Sequence, residues 1–230
     1  MKKRIFAMFL ILVSLGTQTA FAADEELSDY AVQRLEEEAW MKEHASEVVL
    51  DDYGECKYVM PYVDFSKVNS KWRDYMDGSY YDDEAEAYHE AYEWVVDSAE
   101  YQSAERMMDL YVDFCNFDAV EIDEDTPEDL YYEDGLYYST RRQMIWYAVA
   151  QKENLMPTDE DLLAYINDYY GEEATLETFE EEYYHTFDYY VKRNGTEAEY
   201  VEDVAIEFLI KHAQKADPIV PDKPYAVENN

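Results

Sequence analysis

Two Glu-x-x-His pairs, Glu86/His89 and Glu182/His185, are the residues of this 230-residue chain whose types and spacing come nearest to chemistry. Residues three apart on a helix share a face, so each pair can aim a carboxylate and an imidazole at one point. With Glu37 and Glu153 as candidate glutamates on other helices, that is the ligand grammar of a di-iron four-helix bundle. Such a site needs its ligands on the inward face. Glu86 and His89 instead share a row with Asp82 and Glu93, while the apolar seam of that helix runs through Ala85, Tyr88 and Tyr92. Glu182 and His185 lie off the face formed by Phe179, Tyr183 and Phe187. With 55 acidic residues in the chain, such pairs arise from composition alone. The expectation is no metal centre and no cofactor.

Other chemistry fares no better. His89-Glu90 opens no zinc-protease motif, because the second histidine is missing, and His44 and His212 stand alone. The acidic connector EIDEDTPEDLYYED lacks the glycine that an EF-hand needs at its sharp turn, so weakly bound divalent cations are the most it would support. Six glycines leave no phosphate loop or dinucleotide fingerprint. Cys56 and Cys115 have no basic or histidine-rich surroundings to activate a thiolate. They can form a disulfide, which would stabilise by about 4 kcal/mol in the chain-entropy model, or stay as two buried thiols. No serine or cysteine triad can be assembled. The chain reads as a non-enzyme.

Charge then narrows the partners. A formal net charge of −37 repels nucleic acid and anionic lipid and attracts cations or basic proteins. Lys2, Lys3 and Arg4 precede IFAMFLILVSLG and the small-x-small pattern Ala20-Phe21-Ala22. This predicts a secretory signal peptide over residues 1–22, cleaved before Ala23, and an exported protein of the cell envelope, periplasm or exterior. No second apolar stretch approaches spanning length. The 17% aromatic content argues for a packed chain despite the charge. Tyrosines recur as adjacent pairs, at Tyr80-Tyr81, Tyr131-Tyr132, Tyr137-Tyr138, Tyr169-Tyr170, Tyr183-Tyr184 and Tyr189-Tyr190. Helical neighbours point about 100° apart, so one ring can enter a core while the next rests at its rim.

The elements that must position these residues are mainly helices. Ser28 to Val48 predicts the first, on Tyr30, Ala31, Leu35, Ala39 and Ala45, with Trp40 and Met41 at its margin. Residues 48–68 read as a short hairpin or an extended strap. Tyr81, Ala85, Tyr88, Tyr92, Val95 and Ala99 step as a heptad-like seam, and Ser103 can cap a following helix with Met107, Leu110, Tyr111 and Phe114. Thr126-Pro127 can start a short turn in the connector. STRRQMIWYAVAQKENLMPTDEDLLAYINDYYG, residues 139–171, predicts a helix, a break at Asn154 and Pro157, and a second helix. There Thr158 and Asp161 make a capping pair, Leu162, Leu163, Ile166 and Tyr169 an apolar stripe, and Gly171 a stop. One helix is expected from Leu176 to Val191, with Phe179, Tyr183, Phe187 and Tyr190 on one side. After Asn194-Gly195 a last helix should bury Tyr200, Val201, Val204, Ala205, Phe208 and Leu209.

In order and wording, residues 66–215 resemble the C-terminal, all-helical chaperone domain of bacterial trigger factor, a type related to the helical parts of exported SurA- and PrsA-type chaperones. RRQMIWYAVAQKENLMPTDEDLLAYINDYYG carries the likeness best. AYHEAYEWVVDSAEY with SAERMMDLYVDF resembles an earlier helix pair, and LETFEEEYYHTFDYY with YVEDVAIEFLIKHA the closing helices. The ribosome-docking loop and the glycine-rich prolyl-isomerase fold have no counterpart, so neither activity is carried over. The resemblance implies a mainly α, multi-helix, arm-like domain over 66–215, after an N-terminal helix and strap (23–65) and before a flexible tail (216–230). It implies a chaperone-like protein that shelters unfolded polypeptides; the acidic charge adds basic ones, and the apolar and Tyr-rich helix faces offer Tyr88, Tyr92, Tyr111, Phe114, Trp146, Tyr169, Tyr183 and Phe187 as the binding residues. The competing reading is a secreted structural or envelope protein that uses the helices as a scaffold.

Overall fold

The computed structural model describes residues 26–133 and 135–218, so the signal segment and most of the expected tail lie outside the described residues. The fold is mainly α. Its helices are α1 (Asp29–His44), α2 (Phe65–Asp77), α3 (Glu84–Phe114), α4 (Tyr138–Lys152), α5 (Asp159–Tyr170), α6 (Phe179–Tyr183), α7 (Phe187–Asn194) and α8 (Thr196–His212). Short strands β1 (Lys57–Val59) and β4 (Gln214–Ala216) pair in parallel, and β2 (Tyr131–Tyr132) and β3 (Gly135–Leu136) form a small antiparallel hairpin. None of these helices is long and apolar enough to cross a membrane. The chain divides into two compact units. Among the described residues, one unit holds Asp52–Tyr111 and 210–218; the other holds 26–51 and Val112–Leu209.

In the first unit α2 and the body of α3 close on Val68, Ala91 and Val95, with Trp72, Tyr75, Tyr92 and Trp94 packed around them. The sequence reading missed α2. Asp64 starts it, its carboxylate accepting from the Ser66 N–H at 2.9 Å, and Val68, Trp72 and Tyr75 then repeat at helical spacing. The expected helix pair over 87–114 is instead one 31-residue helix, α3. Nothing between Tyr101 and Met107 breaks a helix, so continuing it wins over capping by Ser103. The seam also sits one residue earlier at two positions: Ala87 and Ala91 are buried in place of Tyr88 and Tyr92, Tyr88 is 39% exposed, and Val95 is buried as expected. Small side chains there let α2 approach closely. Of the two readings left open for 48–68, the strap forms. Tyr58 lies opposite Lys215 in the β1–β4 ladder, a partner far along the chain, which rules out a local hairpin.

In the second unit α1 packs on α4 through Trp40, Met41 and Ala45, which are core rather than margin; Tyr30 is 74% exposed. α4 is buried on several sides, at Met144, Ile145, Tyr147, Ala148 and Val149. α5 begins as expected: the Thr158 side chain accepts from the Asp161 N–H, and the Asp161 carboxylate accepts from the Thr158 N–H at 2.9 Å. Thr158→Ala should cost about 1 kcal/mol in urea unfolding. Gly171 ends α5 in the left-handed conformation. The helix expected over 176–191 is broken in two. Tyr184 adopts a φ of 61°, and the Thr186 hydroxyl then accepts from the Tyr189 N–H to start α7. α8 buries Val201, Ala205, Ile206 and Leu209, while Tyr200, Val204 and Phe208 are half-buried.

Arg34 ties α1 to the end of α7. Its guanidinium donates to the carbonyls of Lys192 and Arg193, where a cation meets the negative end of the helix dipole, and Nε lies 3.1 Å from Glu38. Gly195 follows with a φ of 70°, and a Cβ there would meet the guanidinium carbon at 3.0 Å. Gly195→Ala should therefore destabilise by about 1–2 kcal/mol from backbone strain alone. Thermal unfolding would show it as a lowered midpoint.

Candidate polypeptide-binding surface

The densest aromatic grouping is built by α5, α6 and α7 around Phe179, which is 1% exposed. Its ring stacks on Tyr183 at 4.4 Å and meets the edges of Phe187 at 5.2 Å and Tyr190 at 5.4 Å. Tyr170 closes the group: it lies 5.7 Å from Tyr183, and the Tyr190 hydroxyl donates to its oxygen at 2.8 Å. Asn167 fixes the turn between α5 and α6. Its side-chain N–H donates to the Ala174 carbonyl, its oxygen accepts from the Ala174 N–H, and the Tyr183 hydroxyl also donates to that oxygen. Burial, with Glu172 and Glu182 nearby, raises the Tyr183 phenol above its ordinary range, so that ring stays neutral.

The rim of this group faces water. Tyr169 and Tyr170 are about half exposed, Tyr184 is 80% exposed, and Leu176 is exposed beside them. Glu172, Glu173, Glu177, Glu180, Glu181 and Glu182 are exposed on the same turn and helix. Ring faces flanked by carboxylates suit apolar side chains and the cationic groups of Lys and Arg; an exposed cation–π contact contributes about 0.5–1 kcal/mol. The chain uses that pairing internally, with the Lys71 ammonium 4.8 Å from the Tyr75 ring centre and 4.6 Å from that of Trp94. A second exposed aromatic face lies in the first unit, at Phe65, Tyr62 and Tyr88, where Phe65 packs on Tyr92 at 6.2 Å and Trp72 on Tyr88 at 6.4 Å.

The expected binding residues are thus scattered. Tyr169, Tyr183 and Phe187 come together in the α5–α7 group, and Tyr88 and Tyr92 lie on the α2–α3 face. Tyr111 is fully buried, its ring 6.4 Å from Tyr53, so its expected contact with a ligand is corrected: it is a core residue. Phe114 is 54% exposed, and Trp146 sits half-buried beneath Arg142. Tyr170, Tyr184 and the Phe179 anchor were missed as site residues. The Tyr pairs at 169/170 and 183/184 signal Tyr170 and Tyr184, because adjacent residues point about 100° apart and one ring can pack while the next stays at the rim.

Elsewhere the chemical candidates separate. Glu86 and His89 are exposed on α3, and Glu182 is exposed on α6. His185 is half-buried, its Nε2 3.2 Å from the Arg193 guanidinium, a cation that would compete with a metal. Among the described residues no three His, Cys, Asp or Glu side chains come together as metal ligands. Cys56, in one unit, and Cys115, in the other, are each a buried thiol rather than half of the disulfide. In the second unit Lys42 pairs with Glu197, and Tyr147 is buried near Glu38 and Glu197, its phenol raised by that burial. Between α5 and α8 the Tyr165 hydroxyl donates to Asp203 at 2.9 Å. Compared with protein-family models, with curated proteins and with solved structures, the chain matches none of them.

Proposed function

We propose that the chain is an exported, non-enzymatic, chaperone-like protein that binds unfolded or basic polypeptides through its tyrosine-rich helix faces. The supporting observation is the α5–α7 group: rings held in place by a buried anchor, with Tyr169, Tyr170 and Tyr184 presented to solvent among carboxylates. Pre-set aromatic rings bind with little loss of side-chain entropy, and the surrounding charge draws basic segments toward them. The trigger-factor-like wording of residues 139–171 agrees with this reading, and the signal pattern at residues 1–22 agrees with export.

The test is aggregation of a reduced, unfolded client with and without the protein at low and moderate salt. Near-stoichiometric protein should suppress aggregation. Added salt should weaken the effect in part, since screening removes the charge contribution and leaves the apolar one. No suppression at stoichiometric amounts would overturn the proposal. One observation favours the rival, a structural or envelope scaffold: the Tyr190–Tyr170 and Tyr183–Asn167 bonds spend ring hydroxyls on internal packing. On that reading Tyr184→Ala would change no binding at all.

A further inference from the structure

We propose that Tyr132 and Tyr137 form an oxidative cross-linking site, joined ring to ring as dityrosine by a one-electron oxidant of the peroxidase and hydrogen peroxide class. Their ring centres lie 5.0 Å apart with the planes inclined by 41°. The residues are 45% and 43% exposed, so an oxidant reaches both. The pair is held in place by the backbone. Tyr132 lies opposite Gly135 in the β2–β3 ladder, Gly135 makes the return with a φ of 131°, and the Tyr137 N–H donates to the Leu130 carbonyl at 3.0 Å. The buried Thr140 hydroxyl donates to that same carbonyl at 2.9 Å, which fixes the hairpin to the first turn of α4.

The chemistry balances. Each phenol gives up one electron and its hydroxyl proton to become a phenoxyl radical. The two radicals couple through ring carbons ortho to oxygen, forming one carbon–carbon bond. Each ring then returns its ortho hydrogen to oxygen by way of water and becomes a phenol again. The sum is two ring hydrogens lost as protons and two electrons, which reduce one hydrogen peroxide, with two protons, to two waters.

Other tyrosine pairs meet these conditions less well. Tyr169 and Tyr170 lie as close, at 4.8 Å, but edge to face with planes at 77°, and the Tyr170 oxygen already accepts from the Tyr190 hydroxyl. Tyr75 and Tyr81, at 5.2 Å, are half-buried. Tyr170 and Tyr190 meet through their oxygens rather than their ortho carbons. The product would be a staple between the hairpin and α4 that thiol reductants do not open. It does not depend on the polypeptide-binding reading.

The experiment treats the dilute full chain with peroxidase and hydrogen peroxide, follows dityrosine fluorescence, and maps cross-linked peptides by mass spectrometry. The leading intrachain link should join Tyr132 to Tyr137. It should vanish in Tyr137→Phe and in Tyr132→Phe, and persist in Tyr184→Phe, which alters the most exposed ring. A leading link between other tyrosines, or links only between chains, would overturn the proposal. The wild-type map alone decides the matter if a variant fails to fold.

Discussion

Phe179→Ala should lower the unfolding free energy by about 3–5 kcal/mol, the range for removing a buried phenylalanine ring. Net stabilities of single domains are about 5–15 kcal/mol, so this one change removes a large share. The reason is local. α6 has five residues, too few to hold helix by itself, and the Phe179 ring is what Tyr183, Phe187 and Tyr190 pack against. Without it α6 and α7 should open before the rest of the second unit. Amides of residues 179–194 should lose hydrogen-exchange protection while those of α4 keep theirs. Client binding should fall in parallel. Tyr184→Ala separates the two effects: the side chain is 80% exposed, so stability should change by no more than about 0.5 kcal/mol, while suppression of aggregation weakens. If Tyr184→Ala binds client as the wild type does, the rim is not the binding surface.

What the sequence declared and what it concealed divide along a physical line. Several signals confined to one turn of chain read correctly, although Ser103 caps nothing and the caps at Asp64 and Thr186 went unread. Thr158/Asp161, Gly171 and Gly195 each act on backbone groups within four residues, and each formed as expected. Signals that depend on a distant partner did not read. The strap at 48–68 takes its pairing from β4, which no local pattern announces. By pattern the α3 seam falls on Tyr88, because a large apolar ring looks like core, whereas Ala91 is the residue that packs with Val68 of α2 and Ala87 is buried beside it in sequence. Aromatic character marks Tyr111 as a binding residue, yet burial takes it out of reach. The candidate surface was half legible for the same reason. Phe179, Tyr183, Phe187 and Tyr190 kept company even though their single helix broke at Tyr184, because ring packing tolerates a kink that hydrogen-bond periodicity does not.

Stability should rise as pH is lowered from 7 toward 5, with Asp203 as the main single contributor. Its carboxyl is removed from water between α8 and α5, and burial lifts it from the ordinary 3.8 to about 6. Tyr165 donates to the carboxylate from α5 and lowers it in part; Glu207 and Glu199 on its own helix push it up. The folded state therefore binds this proton more tightly than the unfolded chain. Between about pH 4 and 6 the folded protein holds more protons, so stability falls as pH rises through that window, and the full penalty stands above it. The size is on the order of 2 kcal/mol. Glu38, raised first by burial, shifts the balance in the same direction. Asp161 and Asp64 act oppositely, held below their ordinary range by hydrogen bonds from Thr158 and Ser66. They are almost fully ionised in both states above about pH 5 and so leave the series from pH 5 to 7 unchanged. Urea midpoints measured at pH 5, 6 and 7 should decline in that order. Asp203→Asn keeps an acceptor for the Tyr165 hydroxyl without the charge, so it should raise the pH 7 midpoint and flatten the series. An unchanged slope in Asp203→Asn would assign the pH dependence to the general carboxylate repulsion of a chain carrying −37, rather than to this one buried group.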